Sequence, residues 1–199
     1  MIKNRRALRS SAGFTMIEML VVLVIFSVVL LLGFPALQNM IQRGKTEGIA
    51  RETVLLMRQA RFDAIKNSAC ANVRIADEPP RVEAFSDRNC NLTLDAGEAL
   101  LGTFPLPSRV DFVDEDGKLW EESIFGLTDD PASSANLACF QRDGSVRNRG
   151  AFRFGDERGN FLEARVEPEA TARVEVRKWR EADSDWFANG AGGKSWEWY

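Results

Sequence analysis

Four groups of residues in this chain have the types and spacing to do chemistry. The first is one carboxylate, Glu18, inside an apolar run that starts at Phe14 and continues from Met19 to Phe34. A carboxylate in such a run is expensive, by roughly 2.5–3.5 kcal/mol on insertion scales, and asks for a cationic partner. Cleavage after Gly13 would supply one. The new α-amine of Phe14 on a neighbouring subunit could pair with Glu18, neutralise both charges in an apolar filament core and set the axial register. The second group is a run of alternating oxygen donors, Asp87, Asn89, Asn91, Asp95 and Glu98, with the Thr93 backbone carbonyl between them. Side chains at alternate positions converge on a hard cation such as calcium, with a final glutamate binding through both oxygens. The third is a late basic cluster, Arg173, Arg177, Lys178 and Arg180, with Trp179 available to stack on a base. The fourth is Cys70, Cys90 and Cys139. Three cysteines permit one internal disulfide, in any of three pairings, and leave one thiol over.

Absence narrows the field further. The 199 residues include no histidine, which removes His-based triads, His acid–base catalysis and His metal ligands. No histidine is present to activate a thiol. Acid pairs such as Asp129-Asp130 read as solvated turns, so the chain is expected not to be an enzyme. With 45% hydrophobic and 28% charged residues, the composition is that of a globular chain.

The elements that must position these groups follow from charge and hydropathy. Lys3, Arg5, Arg6 and Arg9 precede the apolar run with no acid among them. Without those four the chain carries 22 basic and 29 acidic residues, a net −7. Residues 77–130 hold fourteen acids against four bases, and residues 141–180 ten bases against seven acids. This is a poor footprint for a general nucleic-acid binder. Counted from Phe14, the apolar stretch approaches the ~20 residues needed to cross a bilayer core. Its basic flank keeps the N-terminus cytoplasmic and sends the rest outward. An ordinary signal peptide would place its small-residue cleavage site after the run, whereas Ala12-Gly13 precedes it.

Pro35 removes a helix hydrogen bond, and Gly44 and Gly48 each weaken helix by about 0.8–1 kcal/mol relative to alanine. The reading is a long helix, bent and soft just outside the membrane. Residues 49–67 place Ile49, Leu56, Ala60 and Ala64 at helical spacing, with Leu55, Phe62 and Ile65 expected to widen the apolar face. Arg51, Glu52, Arg58, Arg61 and Lys66 fill the polar positions. Strand patterns follow at 72–76, 81–86, 109–114, 137–141, 151–155, 162–167 and 172–179. Turns are expected at Pro79-Pro80, Asp116-Gly117, Asp143-Gly144 and Arg158-Gly159. The fold class is α+β, a long N-terminal helix packed through its C-terminal half on an antiparallel sheet. The organisation is a leader at 1–13, an anchor helix at 14–35, its amphipathic continuation at 36–67, a sheet domain at 68–180 and an aromatic-rich tail at 181–199. Trp179, Trp186, Phe187, Trp196, Trp198 and Tyr199, in the tail and just before it, suit either an interface or closure over their own sheet.

The basic leader, Gly13, Phe14, Glu18 and the apolar run closely resemble the type III signal of the type IV pilin superfamily, which includes the pseudopilins of type II secretion. The resemblance implies a type IV pilin-like fold, cleavage after Gly13 by a prepilin peptidase and N-methylation of Phe14. It also implies an inner-membrane anchor with a periplasmic domain, and assembly with other pilins or pseudopilins. Within the superfamily the chain is similar to GspH/FimT-type minor pilins and minor pseudopilins. That similarity rests on Arg58-Gln-Ala-Arg61, Ala64-Ile-Lys66-Asn67, Asp87, Asp95-Ala-Gly-Glu98, Asp156-Glu-Arg-Gly159 and Ala164-Arg-Val166. A major pilin's small C-terminal disulfide loop is absent. The 87–98 segment separately resembles an EF-hand loop, but Leu92 stands where the turn wants glycine, and the segment equally suits an Asn/Asp-rich surface turn.

The leading expectation is a minor filament subunit, in a type II secretion pseudopilus or a type IV pilus, acting in initiation, tip structure or cargo contact. A FimT-like DNA-uptake pilin is the alternative; Glu169 and Glu175, interleaved with the late cations, argue against it. A third is an anchored calcium-binding module that never polymerises, which would need the leader uncut and Glu18 dispensable.

Overall fold

The computed structural model describes residues 14–113, 137–180, 185–193 and 196. The leader with Gly13, Asp114, the Asp116-Gly117 turn, Asp129-Asp130, Trp198 and Tyr199 lie outside the described residues. By internal contacts the chain divides into Met1–Met40 and Ile41–Tyr199.

Helix α1 (Met16–Asn67) begins on a cap. Thr15 Oγ1 accepts a 3.2 Å hydrogen bond from the Glu18 N–H, satisfying one of the donors that a helix start leaves open. In the first unit the apolar side chains stay uncovered, and Met16 to Phe34 is exposed throughout. Among the described residues α1 is the one helix long and apolar enough to cross a membrane, and none of its most apolar stretch is buried. The helical assignment runs unbroken through Pro35, Gly44 and Gly48.

In the second unit the remainder of α1 packs on two antiparallel sheets rather than one. The first orders β3 (Leu100–Pro105), β2 (Pro80–Asp87), β1 (Cys70–Asp77) and β5 (Leu137–Phe140). The second orders β4 (Val110–Phe112), β6 (Gly150–Asp156), β7 (Phe161–Val166), β8 (Val174–Arg180) and β9 (Asp185–Ala188). Both give apolar side chains to one core: Val73, Ile75, Val82 and Ala84 from the first, and Phe152, Phe154, Leu162, Ala164 and Val166 from the second. Every second residue of a strand shares a face, which is why Phe152 and Phe154 enter the core while Arg153 does not.

The helix meets this core along Ile49, Leu56, Ala60 and Ala64, all nearly or fully inaccessible. Leu55, Phe62 and Ile65 do not widen that face. They are 58, 67 and 47% exposed, because positions 55 and 62 fall on the opposite side of the helix. Thr53, Val54 and Met57 take the flank instead. Buried Thr46 and Thr53 donate their hydroxyls to the Gln42 and Ile49 carbonyls, so neither brings an unpaired donor into the core.

Seven of the strands match expected segments to within a few residues. Strand β4 starts one residue late because Arg109 has φ 66°, outside strand geometry. Strand β3 carries Gly102 and Pro105, which read as strand breakers, and β9 lies within the aromatic 181–199 segment.

Candidate functional site

At the N-terminal end Phe14 is 73% exposed. Glu18 is the acid of the first helical turn, where the helix dipole favours negative charge. Thr15-Met-Ile-Glu18 has the Thr-x-x-Glu capping-box spacing, of which the Thr15 half is formed. The arrangement exposes a carboxylate at the head of an uncovered apolar helix. Such an end can meet a cation on another subunit.

The 87–98 loop connects β2 to β3 and closes on itself. Asp87 is wholly buried; its oxygens accept from the Asn72 side-chain amide at 2.7 Å and from the Asn91 and Leu92 N–H groups at 3.1 and 2.8 Å. Asn89 and Asn91 turn their amide N–H groups onto Asp95 Oδ2 at 2.9 and 2.8 Å. These bonds, Asn89's first, hold the Asp95 pKa below the ordinary carboxylate value. Thr93 donates to Asn91 Oδ1, and Glu98 accepts from the Arg88 and Asp95 N–H groups. Leu92 takes the position expected for glycine with φ 68°, a left-handed conformation strained for leucine. The candidate side-chain oxygens therefore accept from the loop's own donors and, for Asp87, also from Asn72. Among the described residues no group of three acidic or thiol side chains is placed to hold a metal ion.

The cysteines resolve to one pairing. Cys70 and Cys90 form a disulfide that ties the start of β1 to the 87–98 loop. Cys139 on β5 remains a buried thiol. Burial, then the nearby Asp87 carboxylate, pushes its pKa up to about 11, so it is neutral at physiological pH.

The late basic cluster is not a free cationic face. The β6–β7 and β7–β8 registers set Arg153 beside Glu163, Glu163 beside Arg177 and Arg165 beside Glu175. The result is a ladder of alternating charge across the sheet: Arg153–Glu163 at 3.3 Å, Arg165–Glu163 at 3.2 Å, Arg165–Glu167 at 2.9 Å, Arg177–Glu167 at 2.6 Å and Arg173–Glu175 at 2.9 Å. Burial pushes the Glu163 pKa up against the pull of Arg153 and Arg165. Burial also works against the Glu167 carboxylate, but Arg165 and Arg177 outweigh it and hold its pKa down. Strand alternation sends Lys178 to the other face, where it is 2% exposed and donates to Asn160 Oδ1 at 3.3 Å. Trp179 is engaged as well, tilted against Trp186 at 5.4 Å between ring centroids. Strand alternation thus splits Arg173, Arg177, Lys178 and Arg180, the residues of the DNA-contact expectation, between two faces, and Glu175 and Glu167 pair with Arg173 and Arg177.

Comparison with known proteins adds one match. The model for the prokaryotic N-terminal methylation motif matches residues 8–34. No curated protein and no solved structure matches the chain. The match falls on the leader junction, Phe14, Glu18 and the uncovered helix, the parts with the least explanation inside a single chain. Motif and long apolar helix together support a type IV pilin-like protein of the pilin and pseudopilin superfamily.

Proposed function

We propose that this chain is a minor pilin or pseudopilin, processed after Gly13, N-methylated at Phe14 and built into a filament as an initiating, tip or cargo-contacting subunit. The observation that carries the reading is the methylation motif on a helix whose apolar side chains none of the described residues cover. A bilayer covers that surface before assembly, and the helices of neighbouring subunits cover it afterwards. Glu18 then meets the Phe14 amine of a neighbour. The GspH/FimT-type similarity of the exported part favours a minor over a major subunit, in a type II secretion pseudopilus or a type IV pilus. The role is structural, with prepilin peptidase and other filament subunits as partners and the inner membrane as the site of insertion.

The test is intact mass and N-terminal sequencing of the protein from membranes with and without prepilin peptidase. A mature chain beginning with N-methyl-Phe14 is expected. An uncut chain beginning at Met1 and unaffected by the peptidase would sink the reading. Glu18→Val should still insert in membranes but drop out of sheared filaments; normal incorporation would remove Glu18 from the assembly step.

A further inference from the structure

The loop joining β5 to β6 carries Arg142, Arg147 and Arg149 against one acid, Asp143. All three arginines are exposed, and among the described residues no ion pair or side-chain hydrogen bond engages them. This contrasts with the sheet ladder, where Arg165 and Arg177 are held by glutamates. Asp143 does not neutralise its neighbours. Its Oδ1 accepts from the Ser145 N–H at 2.9 Å and the Ser145 hydroxyl at 2.6 Å, bonds that hold its pKa low.

Arg142 and Arg147 line a pocket of about 260 Å3 together with Gln141, Cys139 and the Cys70–Cys90 disulfide. The backbone around it is fixed. The Gln141 N–H donates to Ser145 O and the Gly144 N–H to Gln141 O, both at 2.8 Å, and the Arg147 N–H donates to Cys139 O at 2.8 Å. Gly144 has φ 82°, a left-handed conformation that favours glycine, and faces Ile65 Cδ1, which a β-carbon would approach to 2.7 Å. The pocket's sulfur side is uncharged, since Cys139 keeps its proton and the other two sulfurs are bonded. Asp87, the nearby acid, keeps its charge but does not line the pocket, and both its oxygens accept from N–H donors outside it. What the pocket offers is two unpaired guanidinium groups and a carboxamide around an uncharged sulfur surface. Guanidinium groups bind oxyanions through paired, charge-assisted hydrogen bonds.

We propose that this pocket is a docking site for the carboxylates of an acidic segment of a partner protein, with Arg142 and Arg147 as the recognising residues and Arg149 steering from the same loop. Protein carboxylates fit better than nucleic-acid phosphates. A nucleic acid brings a continuous line of charge and needs a broad basic face. Here a small basic pocket sits on a chain that is acidic overall beyond its leader. One or two carboxylates fill the pocket without laying further charge along that surface. The site does not depend on the filament reading, because it is complete in the exported part of one chain.

The test uses the full-length protein in detergent micelles and a fluorescein-labelled octaglutamate peptide, followed by anisotropy at 20 and 200 mM NaCl. Binding at the lower salt, weakened at the higher, is expected. Arg142→Gln with Arg147→Gln should lower affinity at least tenfold, and each single variant several-fold. Both side chains are exposed, so unchanged melting curves should accompany the loss. Arg173→Gln, outside the pocket lining and paired with Glu175, should bind within twofold of wild type. A twenty-nucleotide oligothymidylate should bind more weakly than the peptide. The proposal is overturned if wild type does not bind octaglutamate at 20 mM NaCl, or if the double variant binds it as well as wild type. Tighter binding of the oligonucleotide through the same two arginines would overturn it too, and would assign the pocket to nucleic acid.

Discussion

Gly102 lies on edge strand β3 where helix α1 comes closest, and a β-carbon there would stand 2.8 Å from Leu56 Cδ2. Leu56 is 1% exposed, so its methyl has no free space into which to swing. Gly102→Ala is therefore an overpacking substitution, which typically costs 1–3 kcal/mol. Alanine also stiffens the unfolded chain, a gain of about 0.4–1 kcal/mol. At the middle of both ranges the clash wins, and a net loss of about 1.3 kcal/mol is expected. Leu56→Ala alone should cost about 2–5 kcal/mol through lost burial and a cavity. Combined, the two should not add. With Leu56 trimmed, the new methyl meets no obstacle and fills part of the cavity, so the double variant should be no less stable than Leu56→Ala. The assay is urea unfolding of the full-length protein in detergent, read by tryptophan fluorescence, with the midpoints compared at constant slope. Additivity within about 0.5 kcal/mol would refute the packing argument, since independent sites add to that precision.

Three further predictions concern the second unit. Cys90→Ser opens a loop of sequence separation 20 and should cost about 3 kcal/mol by the loop-entropy model, measured by the same urea midpoints. Glu163 has its pKa raised in the fold, so its contribution to stability is full below the unfolded value near 4.5 and is lost as pH rises through the folded value. Glu163→Gln should remove that loss, and melting temperatures between pH 4.5 and 7.5 should fall less steeply with rising pH than in wild type; an identical or steeper fall would refute the assignment. Because the oxygens of the 87–98 loop are engaged by the loop's own donors, millimolar calcium should leave the melting temperature within a degree of that in chelator. A rise of several degrees that Asp87→Ala abolishes would restore calcium to the loop.

The parts of this protein legible from sequence are those set by local rules. The basic leader, the length of the apolar run, Glu18 at its head and the 3.6-residue spacing of Ile49, Leu56, Ala60 and Ala64 are all short-range patterns. Period-two alternation likewise marked seven of the nine strands found among the described residues. Strand β3 escaped because Gly102 and Pro105 lower strand propensity, whereas the reason for the glycine is a helix 43 to 46 positions away in sequence (Gly102 to Gln59 and Leu56) and adjacent only in space. Leu55 and Phe62 were placed on the wrong face because residue type alone does not show how wide a stripe the sheets can cover.

The same distinction decides the charged groups. Sequence shows that Arg173, Arg177, Lys178 and Arg180 are near one another, but only strand register shows which carboxylate stands opposite each and which side chain turns inward. Lys178 is buried and Arg177 is paired for that reason, while Arg142 and Arg147, never prominent by count, meet no carboxylate among the described residues. The disulfide follows the same logic. Three cysteines allow three pairings, and the choice of Cys70 with Cys90 is made by the approach of the 87–98 loop to the start of β1. Sequence by itself determined the kind of N-terminus and the alternation of the elements, because both depend on neighbours along the chain. The tertiary structure alone decided which charges remain available, because charge compensation depends on neighbours across the sheet.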